Sequence, residues 1–325
     1  MNYFGRRLVR ALLLLAGVSV LCFLFTEMAP GSFFDEMRLN PQISPETIAA
    51  LRSHYGLDQP LPVRYLRWVK SVARADLGYS IAYNTPVAPL LWERAKNTLL
   101  LTGVGMGVTW LVSVPLGVWI GTRRDRLLDK VVSLGSSLFI SIPEVVIGLA
   151  LLAIVVHWRI LPVGGMHSAD SDSLSNWLRL KDTFQRLLLP ATVLVLVESC
   201  VIVRHVRASV IEALQLPSIE AARAFGISNA RLLFRHVLPV AASPAISLFG
   251  FSLAGLISGS LLVEVICGWP GLGPLILEAT LSRDFYLVIG GIMLSGLFMV
   301  AGNLIADVML LATDPRIRVE AADAP

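Results

Sequence analysis

The chain has 325 residues, 55% hydrophobic and 15% charged, with a formal net charge of +4 and a mean hydropathy of +0.71. Soluble domains carry roughly 25% charged residues, so the deficit argues against a soluble domain and for one helical membrane domain. The basic excess is no nucleic-acid signal here, because membrane proteins gather Lys and Arg in cytoplasmic loops.

Arg6, Arg7 and Arg10 precede an apolar run from Ala11 to Phe25. No small-x-small cleavage site follows, so residues 8–28 are expected to stay as a transmembrane helix. Residues 1–28 thus form a cytoplasmic tip and first helix. Residues 29–97 form a long extracytoplasmic loop. Within it, Ser44-Pro45 opens a short helix through His54. Val63, Leu66, Val69 and Val72 recur every third residue, which predicts an amphipathic helix. Trp68 and Trp92 suit a membrane interface, and the loop reads either as a structured cap or as a docking element. Residues 98–313 are expected to form a five-helix core. Its apolar spans fall at 98–121, 131–156, 187–203, 240–266 and 288–313, to be set against the ~20 residues that a bilayer requires. The fourth is the shortest. Residues 314–325 form a short tail. The fold class is all-α, a polytopic membrane protein with six transmembrane helices.

Six spans put both termini on one side. The amino end, residues 122–130, residues 204–235 and the tail together hold fourteen Lys and Arg, against five in the two short opposite loops. The long first loop is left out of this comparison, because long loops translocate regardless of charge. Both termini and the 204–239 loop are therefore expected on the cytoplasmic side.

That loop contains Pro217 to Pro239, reading PSIEAARAFGISNARLLFRHVLP. Pro217 suits the first position of a helix. Ile219 to Phe225 holds three alanines and no breaker, and Gly226 supplies the left-handed residue that ends a helix. Ser228 is placed to cap a second helix running toward Val237, and Pro239 marks the return to an apolar run. The expected product is a short helix–turn–helix.

Residues able to do chemistry are few. A P-loop needs Gly-Lys followed by Ser or Thr, and none of Lys70, Lys96, Lys130 and Lys181 follows a glycine. The five histidines show no ligand spacing, and Cys22, Cys200 and Cys267 form no close pair. No metal site or disulfide framework is expected. Glu144, Glu198, Glu264 and Asp307 fall within the spans. An acid at a span centre costs about 2.5–3.5 kcal/mol, so it faces protein or a water-filled path. Asn303 and Asp307 are four apart and share a helix face.

Glu220-Ala221-Ala222-Arg223, then Gly226, then His236-Val237-Leu238-Pro239 resembles the EAA loop of ABC-type importer permeases. That pattern usually has Ile where His236 stands, and the peptide and nickel branch often has His after Arg, as in Arg235-His236. Arg204 to Ser209, Leu161 to Gly165, Trp269 to Gly273, Arg283-Asp284-Phe285 and the Asp314–Arg318 tail resemble the same branch. Across nearly its whole length the chain is similar to the dipeptide/oligopeptide/nickel permease family in its B-type, first-permease form.

The resemblance implies the type I importer permease fold in a bacterial-type inner membrane. It implies a coupling helix that docks on a separate ATPase, carried by Glu220, Ala221, Ala222, Arg223, Gly226, Leu238 and Pro239. It further implies a heterodimer with a second permease, two ATPase subunits holding ATP and Mg, and an extracytoplasmic substrate-binding protein. No cofactor and no enzymatic activity are expected on the chain itself, and its remaining partner is membrane lipid rather than nucleic acid. Glu264, Asn303 and Asp307 read as structural polar residues, since similar acids occur in the branch whatever the cargo. Glu144 and Glu198 depart from the usual apolar or small residues there. They are candidates for the translocation path, with a structural hydrogen bond as the open alternative. Peptides, a nickel chelate, glutathione and polyamines all remain as cargo. A self-contained secondary transporter or channel that uses its intramembrane acids is the other function class. The EAA loop and the absence of inverted-repeat symmetry favour the importer.

Overall fold

The computed structural model describes residues 3–28, 44–54, 58–168, 170, 173 and 175–313. The expected tail at 314–325 lies outside the described residues, as does part of the first loop. The helices are α1 (Tyr3–Met28), α2 (Pro45–His54), α3 (Leu61–Val72), α4 (Val87–Gly121), α5 (Leu127–Ser141), α6 (Glu144–Trp158), α7 (Asn176–Leu214), α8 (Pro217–Ala224), α9 (Asn229–Leu232), α10 (Leu238–Cys267), α11 (Leu272–Leu281) and α12 (Phe285–Thr313). Strands β1 (Tyr79–Ser80) and β2 (Thr85–Pro86) form a small antiparallel hairpin. The described residues pack as two compact units, one of residues 3, 98–270 and 298–313, the other of residues 4–97 and 271–297.

The first unit is built around α7. Helix α10 packs chiefly on it, and α5 and α6 lie on it as well. Leu101, Val193, Leu194, Leu256, Val263 and Trp269 form its main core. A Cβ on Gly117 would stand 2.8 Å from the Cβ of Val206, and one on Gly121 would stand 3.0 Å from that of Val210. These glycines let α4 approach α7 closely, as small residues do between membrane helices.

In the second unit, Phe23 of α1, Trp68 of α3 and Phe285 and Ile289 of α12 form an aromatic-rich core. Buried Asp284 accepts from the Ser80 hydroxyl at 2.6 Å, the Ala82 amide at 3.0 Å and the Leu287 amide at 3.3 Å. It therefore caps α12 and anchors the hairpin with one side chain. Tyr83 donates to Glu278. Burial first, and this carboxylate second, push the phenol up to about 12.

Among the described residues four helical stretches are long and apolar enough to cross a bilayer: Gly5–Thr26, Val87–Gly121, Asn176–Leu214 and Phe285–Met309. Three further pairs qualify only together, across bends of 100° between α5 and α6, 45° within α10's first half, and 74° between α10 and α11. The third expected span is thus broken. Pro143 forces the preceding Ile142 into extended backbone (φ −93°, ψ 127°) and restarts the helix. The fourth, expected as the shortest, is part of the longest helix. Its polar flanks, 176–186 and 204–214, hold several Leu, Arg and Ala and continue the helix beyond the apolar run.

The amphipathic helix expected over 63–72 is present as α3, but its burial is inverted. Arg64 and Trp68 are the buried residues, whereas Val63, Leu66 and Val69 are exposed. Trp68 therefore belongs to the core. Trp92 is 54% exposed and has the Lys96 ammonium 6.0 Å from its ring centroid.

Candidate functional site

Two features of the first unit bear on function, the 217–239 loop and an acid pair beside α10. The loop begins where α7 ends. Pro217 stands in the first turn of α8, and Leu216 before it is extended. Ile219 is the only buried residue of α8, at 3% exposure. It enters a cluster with Ile202, Val206, Val210 and Ala213 of α7, and with Leu232 and Val237 further along. Burying such a side chain is worth about 1.5–3 kcal/mol, which fastens α8 to α7.

Helix α8 ends as the sequence leads one to expect. Gly226 has φ +76°. Its amide donates to the Arg223 carbonyl at 3.0 Å, and the Ile227 amide donates to the Ala222 carbonyl at 3.4 Å. This is the Schellman pattern, with Ile227 packing beside Ala222 against the same cluster. Glu220, Ala221, Arg223 and Phe225 face outward, and Ala222 is half-buried.

The second half of the loop departs from expectation. Ser228 occupies the cap position, yet its hydroxyl makes no capping bond, and the Leu232 amide bonds the Ser228 carbonyl instead. Only α9 is regular α-helix. Leu233–Val237 forms a π-turn, in which the Leu238 amide reaches back to the Leu233 carbonyl. Pro239 has no N–H for the Arg235 carbonyl, and its ring would clash there. A wider turn absorbs the misfit. The chain then runs on as α10, with Leu238 half-buried and Pro239 exposed in its first turn. Loop and helix are continuous.

The acid pair sits further along α10. Glu144 is the first residue of α6, just after the Pro143 bend. Glu198 lies in the middle of α7. A Cβ on Gly255 would stand 2.9 Å from a Glu198 carboxylate oxygen, and one on Gly259 would stand 2.8 Å from a Glu144 oxygen. Gly255 and Gly259 are four apart and share a face. Both carboxylates therefore rest on one glycine patch, close enough for their charges to interact.

The other polar candidates lie elsewhere on α10 and α12. Glu264 is fully buried near the end of α10, and Asp307 is buried in α12. Asn303 lies beside Gly250, and Glu264 is about 20 Å further along α10 at ~1.5 Å per residue. Among the described residues no group of His, Cys, Asp and Glu could hold a metal ion.

Two contacts escaped the sequence reading. Arg207 bonds Asp129 of α5 through Nε and through Nη2, the latter at 2.7 Å. Asp129 is 2% exposed and also accepts from the Asp125 amide. The pair pins α5 to α7 beside the loop. Its signal was an acid set among Arg123, Arg124, Arg126 and Lys130. The second contact joins two fragments far apart in sequence: the Gly165 amide donates to the Gly268 carbonyl at 2.9 Å. Arg186 holds the Gly164 carbonyl at 2.5 Å and Asp182 at 3.1 Å.

Comparison with known proteins gives a consistent result. Residues 113–319 match the family described as binding-protein-dependent transport system inner membrane component, and residues 1–102 match its N-terminal companion. The chain is 33% identical to the oligopeptide transport system permease protein AppB of Bacillus subtilis, over 97% of this chain and 98% of that one. It is 32% identical to the dipeptide transport system permease protein DppB of Escherichia coli, over 98% and 99%. In fold it is similar to a chain of the MetNI methionine ABC transporter in an inward-facing conformation. The TM-score there is 0.50 at 20% identity, covering 67% of this chain and 95% of that chain.

Proposed function

The chain belongs to the family of binding-protein-dependent transport system inner membrane components and is a permease subunit of an ABC importer, and on that premise we propose that its cargo is a peptide or related small solute. As a transport subunit it is not an enzyme. ATP and Mg belong to two partner ATPases, and the path is shared with a second permease that receives cargo from an extracytoplasmic binding protein. Six spans (α1, α4, the bent α5–α6 pair, α7, α10 and α12) leave both termini in the cytoplasm.

The observation that carries this reading is the form of the loop. A helix of eight residues, Pro217–Ala224, is held from behind by Ile219 and stopped by a Schellman turn. It presents Glu220, Ala221 and Arg223 outward. A small, rigid, exposed helix is suited to insertion into a cleft of another subunit. Because the π-turn leads into α10 without a gap, the loop is joined through the 45° bend in α10's first half to the helix that carries Gly255 and Gly259. Glu144 and Glu198 then give the path a negative patch for a cationic group, such as a peptide amino terminus. An autonomous transporter using these acids is not favoured, since the relatives are permease components of multi-subunit systems.

The full-length chain, purified with a tag from its native membrane, should bring down a second permease and ATPase subunits. Ala221→Trp should release the ATPases and keep the second permease. Retention of the ATPases by this variant, with normal uptake in liposomes, would remove the loop from the coupling role.

A further inference from the structure

We propose that α3 is an interfacial helix, lying in the headgroup layer of an anionic phospholipid membrane and holding the first extracytoplasmic loop to the bilayer surface. The inference goes beyond the importer reading and depends on neither cargo nor ATPases. It starts from the inverted burial of this helix. The inner face is the polar-aromatic one. Tyr65 and Trp68 pack on Phe23 with ring centroids 5.1 and 5.2 Å apart, and the Arg64 guanidinium lies 4.6 Å from the Phe285 centroid. The Tyr65 hydroxyl is 3.0 Å from the Ser19 hydroxyl.

The outer face is divided lengthwise. Val63, Leu66 and Val69 are 45%, 68% and 41% exposed. At about 3.6 residues per turn, Leu66 and Val69 form one flank and Arg67 and Lys70 the adjoining one, with Val63 between those two cations and Arg74 just beyond the helix end. A protein-docking patch more often has an apolar centre ringed by polar residues. An apolar flank beside a basic flank is the pattern of a helix lying in a membrane surface, its apolar side buried about 5–10 Å into the headgroup boundary. The basic side then meets lipid phosphates.

The height of the helix agrees. Its inner face rests on Phe23 and Ser19, in the last turns of the apolar stretch Gly5–Thr26. That is where α1 leaves the hydrocarbon. Leu21, Leu24 and Phe25 of α1 are themselves exposed.

The test places a bimane label on Leu66→Cys or Val69→Cys in a chain whose Cys22, Cys200 and Cys267 are serine. The labelled chain is studied in its whole transporter, reconstituted in vesicles of phosphatidylcholine with phosphatidylglycerol. Substrate-stimulated ATP hydrolysis shows that each labelled transporter is folded, and Ala82→Cys on the exposed hairpin is the aqueous reference. A shallow doxyl lipid should quench both α3 sites severalfold more than the reference, and iodide severalfold less. Arg67→Gln with Lys70→Gln, or phosphatidylcholine alone, should move both readings toward the reference. Iodide access equal to that at Ala82→Cys would overturn the proposal. So would shielding that appears only when the extracytoplasmic binding protein is added, which would make this a protein-docking face. Doxyl quenching indifferent to both lipid charge and the basic residues would overturn the anionic-lipid assignment.

Discussion

Replacing Gly226 isolates the backbone contribution to coupling. The residue has φ +76°, and nothing lies within 4 Å of where a Cβ would stand. A new side chain meets no neighbour, so the cost of substitution is conformational. Holding an L-residue in the left-handed region costs about 1–2 kcal/mol, less for Asn and more for a β-branched residue. That is a factor of about 5–30 in an equilibrium. Opposing it is the anchoring of α8 by Ile219, about 1.5–3 kcal/mol. Ala should therefore leave most loops in place, whereas Val should release the two bonds that close the turn. In proteoliposomes holding the complete transporter, substrate-stimulated ATP hydrolysis should rank Gly, Asn, Ala, Val in descending order. Val should lose activity severalfold, with the membrane level of the chain unchanged by immunoblot. Wild-type stimulation in Gly226→Val would refute the reasoning, as would an Asn variant as poor as Val.

Three further outcomes follow from the first unit. Glu198→Gln should reduce uptake of cationic cargo more than neutral cargo, with assembly intact; equal loss for both, with poor expression, would mark Glu198 as structural. Arg207→Ala strands the Asp129 carboxylate, and breaking a buried pair costs about 3–5 kcal/mol. The lower end is expected because the Arg207 side chain is 26% exposed. Thermal stability in detergent should fall, and Arg207→Met with Asp129→Leu should recover most of it; a double variant as unstable as the single would contradict this account. Finally, Ser175→Cys should react with an impermeant thiol reagent applied to intact cells, and Ser218→Cys should not. Labelling of Ser218→Cys would reverse the orientation.

Much of the fold was legible because membrane helices announce themselves by long apolar runs. The helix at Pro45–His54 and the cap at Gly226 were legible for another reason, since Pro and Gly impose backbone states locally. The bend at Pro143 was not. A proline inside an apolar run is tolerated in membrane helices when neighbours satisfy the freed backbone groups. Its effect is therefore decided by packing rather than by the residue. Helix α7 was underestimated for a related reason: hydropathy reports where lipid is, and this helix continues well past it.

The departures at α3 and in the loop have separate physical origins. Periodicity identifies two faces of a helix but does not say which face is covered. For α3 the spacing predicts an amphipathic helix, and the structure covers its Arg64 and Trp68 side and leaves Val63, Leu66 and Val69 exposed. For Pro239 the local rule was sound, yet the response was a π-turn instead of a break, which keeps α10 joined to the loop. Glu144 and Glu198 were conspicuous as acids in apolar sequence, but nothing in their spacing brings them together. Gly255 and Gly259 do so, and as glycines in an apolar run they carry no chemical signal of their own. The acids mark where polarity is placed in the membrane. The glycines decide that both carboxylates rest on the one helix that continues directly from the loop.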